Sequence, residues 1–352
     1  MPNTAKILII CLKHLGDVVT TTPVISLLHD KFTGCEIHYA TYPEALPLVT
    51  SHPGLAKTFG IPRHLGLSRL WGLYRELAPE RYHFALDFSE GARGAKLSLA
   101  SRATIRVGYR CKGFHLFRNG IPTIPIPSRQ DEADRPVTEC HADFARAVGC
   151  RFEKAPLPKI YPSPKAAAAA SEYLESIGVE GPFAVAHLTA TDDIRLWPPR
   201  HAGKAVAFLS ERVGPVLMVS NGSERETSFL KLVSHEAGDR GIGTGALPLD
   251  TLMGLLRKAR IFIGLDSLGG HMAAALSCPT LSIFGPSREK HWAPRGPMVE
   301  IAHTDRACRS CVTGGCLGGG LSACLDELDF DEWVRPKLTA MLAHIGDEGE
   351  NA

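Results

Sequence analysis

The sequence predicts an α/β protein made of two doubly wound, Rossmann-like domains facing a cleft. Three observations carry that prediction. The chain has 352 residues, more than one hydrophobic core usually serves. Short, near-continuous apolar runs alternate with segments of helical spacing, the pattern of a parallel sheet covered on both faces. A proline-containing stretch, Pro156–Pro164, divides the alternation into two series. The expected domains are residues 1–160 and 161–325, with residues 326–352 forming a helix and tail that return to the amino-terminal domain.

In the first series, Lys6–Cys11 (KILIIC) reads as a central strand. Lys13-His14-Leu15-Gly16-Asp17 follows as a loop, and Val18–Phe32 reads as one helix with Pro23 in its first turns. Glu36–Ala40, Phe84–Phe88 and Ile105–Val107 are further strands, and Leu67–Leu77 and Arg93–Ala100 have helical spacing. Gly120–Pro164 is rich in proline, carries the charged run Arg129–Arg135, and includes a helix at Cys140–Val148. The second series runs helix Lys165–Ile177, strand Phe183–His187, helix His201–Arg212, strand Val216–Val219, then helices Glu224–Ala237 and Asp250–Lys258. It continues with strand Ile261–Gly264, a polar turn Asp266–Gly270, helix His271–Ser277 and strand Thr280–Phe284. No internal repeat is visible in the sequence itself.

A formal net charge of +2 gives no case for bulk nucleic-acid binding. No apolar run has the length of a membrane span, and the start of the chain lacks the pattern of a secretory signal, so the cytoplasm is expected. Of ten cysteines, six are scattered and read as ordinary thiols.

Functional loops in such sheets lie at the carboxyl ends of strands. Asp17 falls there: it either complements a helix dipole or serves as a carboxylate able to take a proton from an acceptor hydroxyl. In the strand-turn-helix at Ile261–Ser277, Asp266 and Ser267 either cap the helix or, with Gly269 and Gly270, expose backbone N–H groups to a phosphate. His187–Trp197 gathers Thr189, Thr191, Asp192, Asp193 and Arg195. These could hold a diphosphate, with Arg195 offsetting charge on a leaving phosphate, or could form a surface loop in which Asp193 and Arg195 pair. Ser220–Arg225 approaches the same ligand or is a capped helix start. Cys308-x2-Cys311-x4-Cys316-x7-Cys324 invites comparison with a structural zinc site; the first spacing fits and the later ones differ from a standard ribbon, so reduced thiols or a redox-sensitive loop stand beside metal binding. No Gly-x-Gly-x-x-Gly follows the first strand, which argues against a dinucleotide-dependent oxidoreductase.

Ile7–Pro23, Asp193–Pro198 and Gly264–Pro286, in that order, resemble glycosyltransferase family 9, the ADP-heptose:lipopolysaccharide heptosyltransferases, and the cysteine cluster is similar to one in some type III enzymes. The resemblance implies the GT-B glycosyltransferase fold of two Rossmann domains and inverting, metal-independent transfer of heptose from ADP-heptose to a lipopolysaccharide inner-core acceptor. It implies Asp17 as general base and Arg195 beside the donor phosphates. Thr189, Thr191, Asp266, Ser267, Gly269, Gly270 and His271 would line the donor site. No cofactor is expected beyond the ADP-sugar donor substrate, with structural zinc as an addition. The lipid-linked acceptor would bring the protein to the cytoplasmic face of the inner membrane, with Lys13, Arg110 and Lys112, and also Arg63 and Arg69, as contacts for its phosphates, the other reading of Arg63, Arg69, Arg110 and Lys112 being ordinary solvated surface charges. The family usually carries Asp-Ser-Gly or Asp-Thr-Gly where this chain has Asp266-Ser267-Leu268. A leucine does not readily take a positive φ, so an altered turn is expected there. That departure keeps open a transferase of the same fold using another nucleotide-sugar, and beside it a nucleotide-binding scaffold without turnover.

Overall fold

The computed structural model describes residues 5–64, 67–110, 119–127, 134–308, 311, 316 and 320–350. The chain divides into two compact units, Met1–Tyr161 and Pro162–Ala352. Each holds one six-stranded sheet, and every strand pair is parallel.

In the first unit β1 (Lys6–Cys11), β2 (Glu36–Thr41), β3 (Lys57–Gly60), β4 (Phe84–Asp87), β5 (Ile105–Tyr109) and β6 (Ile124–Ile126) lie in the order β3-β2-β1-β4-β5-β6. The second unit has β7 (Ala184–His187), β8 (Val216–Ser220), β9 (Ile242–Ala246), β10 (Ile261–Leu265), β11 (Thr280–Ile283) and β12 (Val299–Ala302), ordered β12-β11-β10-β7-β8-β9. Counted within its own unit, the second sheet repeats the order of the first. The direction of winding reverses between β1 and β4 in one sheet and between β7 and β10 in the other, and ligands of open parallel sheets bind beyond the strand ends at such points.

The central strands are as apolar as their sequences demand: Ile7, Leu8, Ile9 and Ile10 are fully buried, as are Ile261 and Ile263. The helix expected over Val18–Phe32 is instead two, Leu15–Thr21 and Pro23–Lys31. Proline has no N–H to continue the first helix but suits the first turn of a new one. Thr20, Thr21 and Thr22 donate their hydroxyls to the carbonyls of Asp17, Val18 and Val19, which satisfies the end of the first helix from within. The helix expected at His271 begins earlier, at Leu268, so Gly269 and Gly270 lie in its first turn rather than in a loop.

The last helix is Arg335–Glu350. Leu338 and Met341, with Phe330 and Val334 just before it, pack into the core of the second unit beside Trp197, Leu209, Ile263 and Leu325.

Candidate active site

Asp17 lies in the first turn of the helix Leu15–Thr21, directly after β1, and is 5% exposed. Its N–H donates to the His14 carbonyl at 3.0 Å. Next to it Tyr39 is fully buried and its hydroxyl lies 2.6 Å from Thr21 Oγ1. Burial first, then the Cys11 thiol and, more weakly, the Asp17 carboxylate, push the Tyr39 phenol well above its usual range, against the Thr21 hydroxyl. That strand end is therefore a desolvated setting for Asp17. Lys13 Nζ is held by Glu90. Arg110 is exposed at the end of β5, and Arg63 pairs with Glu44 and stacks on Tyr42, 4.2 Å from the ring. Lys112 and the Arg69 side chain lie outside the described residues.

In the second unit three strand ends contribute. After β7, Thr189 is buried and donates its hydroxyl to Glu226 Oε2 at 3.0 Å; the Asn221 N–H, after β8, donates to the same oxygen at 2.8 Å. Thr189 thus ties two loops together and faces inward, whereas Thr191 is exposed. Arg195 Nη2 bonds Asp192 at 3.0 Å, and its Nη1 stands 3.9 Å from Asp266 Oδ2. The alternative pairing of Asp193 with Arg195 is not formed: Asp193 accepts from Arg225, which also donates to the Ala190 carbonyl at 2.9 Å.

The turn into the helix Leu268–Ala275 places the departing leucine inside the helix. Leu268 occupies the first helical position and is not among the residues of positive φ, so the leucine fits without strain. Ser267 does not cap the helix with its side chain; its hydroxyl pairs with His187 Nδ1 at 3.0 Å. Burial pushes His187 below its usual range, against the Glu226 carboxylate, which pulls it up. Gly269 is required for close approach: a Cβ there would meet His187 Nδ1 at 2.7 Å and Phe262 Cζ at 3.0 Å. His271 is buried in the same first turn. Arg195, Asp266 and Ser267 are therefore gathered at one end of the second sheet.

Sequence reasoning missed Glu226 and His187. Glu226 reads as an ordinary first-turn glutamate; the one signal available was its place three residues after Ser223, as the glutamate of a capping box. Cys308, Cys311 and Cys316 are exposed and Cys324 is buried. Among the described residues, the one group at metal-ligand spacing is elsewhere, Glu36, His38 and Glu80. Lys6 Nζ already lies 3.3 Å from Glu36 and 2.7 Å from Glu80, and Lys57 Nζ is 3.2 Å from Glu80, so those carboxylates are neutralised by ammonium groups. Among the described residues no helix is long and apolar enough to cross a membrane.

Residues 70–321 match glycosyltransferase family 9 (heptosyltransferase). The chain is 22% identical over 302 residues to lipopolysaccharide heptosyltransferase 3 of Escherichia coli strain K12, covering 80% of this chain and 83% of that protein. It is 23% identical over 322 residues to lipopolysaccharide heptosyltransferase 1 of Pseudomonas aeruginosa, covering 88% and 87%. In fold it is similar to a family 9 glycosyl transferase of Veillonella parvula, with TM-score 0.79, 17% identity and 97% of each chain covered. It is also similar to ADP-heptose lps heptosyltransferase II of E. coli, with TM-score 0.77, 18% identity, and 96% of this chain and 99% of that one covered. With the family match spanning more than half of its length, on two parallel sheets of one strand order, this chain belongs to glycosyltransferase family 9, the heptosyltransferases, and is a glycosyltransferase.

Proposed function

We propose that the enzyme moves heptose from ADP-heptose to a lipopolysaccharide inner-core acceptor, inverting the anomeric centre with no metal in the transfer step. The observation that carries this reading is placement. Asp17 follows β1, while Arg195, Asp266 and Ser267 follow β7 and β10, the strands at which each sheet reverses its winding. The names of the heptosyltransferase relatives supply the sugar and the acceptor class.

In this mechanism Asp17 is the general base. It takes the proton of the acceptor hydroxyl as that oxygen bonds to the anomeric carbon, and the bond from that carbon to the β-phosphate oxygen breaks with its electron pair leaving on ADP. Negative charge on the leaving oxygen is offset by Arg195 and by the N–H groups that open the helix Leu268–Ala275. Because the Ser267 hydroxyl is turned to His187, it does not compete for those N–H groups. Thr189 supports the loop through Glu226, and Thr191, Asp266, Gly269, Gly270 and His271 complete the donor site. Lys13, Arg110 and Lys112 are proposed contacts for acceptor phosphates; Lys13 would exchange Glu90 for a phosphate. The lipid part of the acceptor would hold the enzyme peripherally at the cytoplasmic face of the inner membrane.

The test is Asp17→Asn, which removes the base and keeps the shape. Transfer from ADP-heptose is expected to fall by about 100- to 10,000-fold, while calorimetric donor affinity stays close to that of the unaltered chain. Unchanged turnover overturns the assignment.

A further inference from the structure

The chain leaves β1 for the helix that carries Asp17 through one peptide unit, Cys11–Leu12, and two side chains hold that unit from opposite sides. Thr41, the last residue of β2, donates its hydroxyl to the Cys11 carbonyl at 2.9 Å. Ser89, just past β4, accepts the Leu12 N–H on its Oγ at 2.9 Å. Because β2 and β4 flank β1 in the sheet, the C=O and the N–H of one peptide bond are each held by a different neighbour. Cys11, Leu12, Thr41 and Ser89 are all buried, where such bonds are stronger than in water. A peptide unit is planar, so fixing both its polar groups leaves it one orientation. Only Lys13 and His14 stand between Leu12 and the start of the helix at Leu15, so that orientation is passed on to Asp17.

The two hydroxyls are themselves braced. The Ser89 N–H donates to Asp87 Oδ1 at 2.9 Å. The helix Ala92–Ala100 lies so close to this turn that a Cβ at Gly94 would stand 2.7 Å from Ser89 Cβ, and nearer still to Asp87 Oδ1. One residue beyond Leu12, Lys13 is held by Glu90, whose φ of +50° is costly for a residue with a side chain. The far end of the Asp17 helix is met by Tyr39, whose hydroxyl lies 2.6 Å from Thr21 Oγ1. Tyr39 and Thr41 stand two residues apart on β2 and share a face, so one strand holds both the entry and the exit of the helix Leu15–Thr21.

We propose that Thr41 and Ser89 are positioning residues for the transfer reaction: together they fix the Cys11–Leu12 peptide plane and so set where the helix Leu15–Thr21 delivers the Asp17 carboxylate. Both hydroxyls are engaged with the backbone, and their effect on the acceptor runs through Asp17. A general base works only within hydrogen-bond reach of the proton it takes. Misplacing a reacting group by about 1 Å can cost about 100-fold in rate. The role of Asp17 rests on the transferase reading above, and the clamp on the Cys11–Leu12 peptide does not.

The test uses the full chain. Ser89→Ala and Thr41→Val are each expected to lower kcat for heptose transfer by about 10- to 100-fold. The KM values for ADP-heptose and for the acceptor are expected to stay within about twofold of those of the unaltered chain. Thr41→Ser, which keeps the hydroxyl, is expected to hold kcat within about threefold. In an Asp17→Asn background Ser89→Ala should remove nothing more, because no carboxylate is left to misplace. An unchanged kcat in either single variant overturns the proposal, and so does an equal loss from Ser89→Ala with and without Asp17. Amide hydrogen exchange on the unaltered chain decides the matter where a variant does not fold. The Leu12 N–H is expected to exchange as slowly as those inside β1, and fast exchange there overturns the clamp. That measurement needs no substrate, so slow exchange at Leu12 in a chain without heptose transfer would count against the transferase reading alone.

Discussion

His52 ties the stability of the first unit to pH. It is 6% exposed, accepts the Gly54 N–H at 3.1 Å through Nδ1, and sets its ring edge-on to Tyr161. Burial, with His29 nearby, pushes it down to about 4. The unfolded chain takes up this proton near pH 6.5 and the folded chain only near pH 4, so folding loses stability as pH falls between those values. The stabilisation is fully present above pH 6.5, and the loss reaches up to about 3 kcal/mol at the acid end. Urea denaturation at a series of pH values should show this slope, and His52→Gln should flatten it; an equal slope in the variant would remove His52 as the cause. At the same scale, the sequence showed which residue types gather after each strand but not which pairs they form. Arg195 has acidic neighbours at both Asp192 and Asp193, and the competing Arg225 settles the choice by taking Asp193. Glu226 was illegible for a related reason: its burial comes from loops that meet it in space, at Thr189 and Asn221, and not from its own neighbours in sequence.

Among the elements, all the strands found by apolar runs are interior ones, and the four that were missed, β3, β6, β9 and β12, are the four sheet edges. Their sequences are KTFG, IPI, IGTGA and VEIA, and each is partly exposed. An edge strand is covered less and tolerates charge, glycine or proline, so the burial signal that marks a central strand is weak there. Pro125 in β6 illustrates it, since an edge position can do without an N–H. The Leu268–Ala275 helix was legible in kind and misplaced at its start, because two glycines in a first turn look like a loop. The two glycines have different reasons to be there. Gly269 faces His187 and Phe262 at distances that leave no room for a methyl group, whereas at Gly270 the nearest atoms to an added Cβ, on Pro294 and Ser282, are 3.4 Å away. Gly269→Ala is therefore expected to cost about 1–3 kcal/mol of stability as the helix shifts off β7 and β10. Gly270→Ala should stay within about 1 kcal/mol of the unaltered chain, helped by the better helix propensity of alanine. Denaturation midpoints for the pair check this, and equal losses would show that the close approach at Gly269 is not what matters.

Taken whole, the molecule uses one sheet order twice, a repetition that no similarity between the halves of the sequence announces. The order is set by right-handed crossovers and by which strands are apolar enough to sit centrally, and many sequences satisfy those conditions. Each unit also closes its own core. One cluster joins Leu8, Ile10, Phe59, Leu77 and Leu97 in the first unit, and another joins Trp197, Val206, Ile263, Leu281, Phe330 and Leu338 in the second. Because the last helix belongs to the second cluster, all the residues of that cluster lie within Pro162–Ala352. The proposed donor residues Arg195, Asp266, Ser267, Gly269 and His271 all lie within it. Pro162–Ala352 produced alone is therefore expected to unfold cooperatively and to bind ADP, with a Kd within about tenfold, or about 1.4 kcal/mol, of the full chain, while catalysing no transfer without Asp17. Calorimetry with ADP on a fragment first shown to be folded by circular dichroism decides the matter. A folded fragment with no measurable affinity would mean that the grip on the nucleotide is not built within the second sheet's loops, and the assignment of Arg195 and Ser267 to the donor would fall with it.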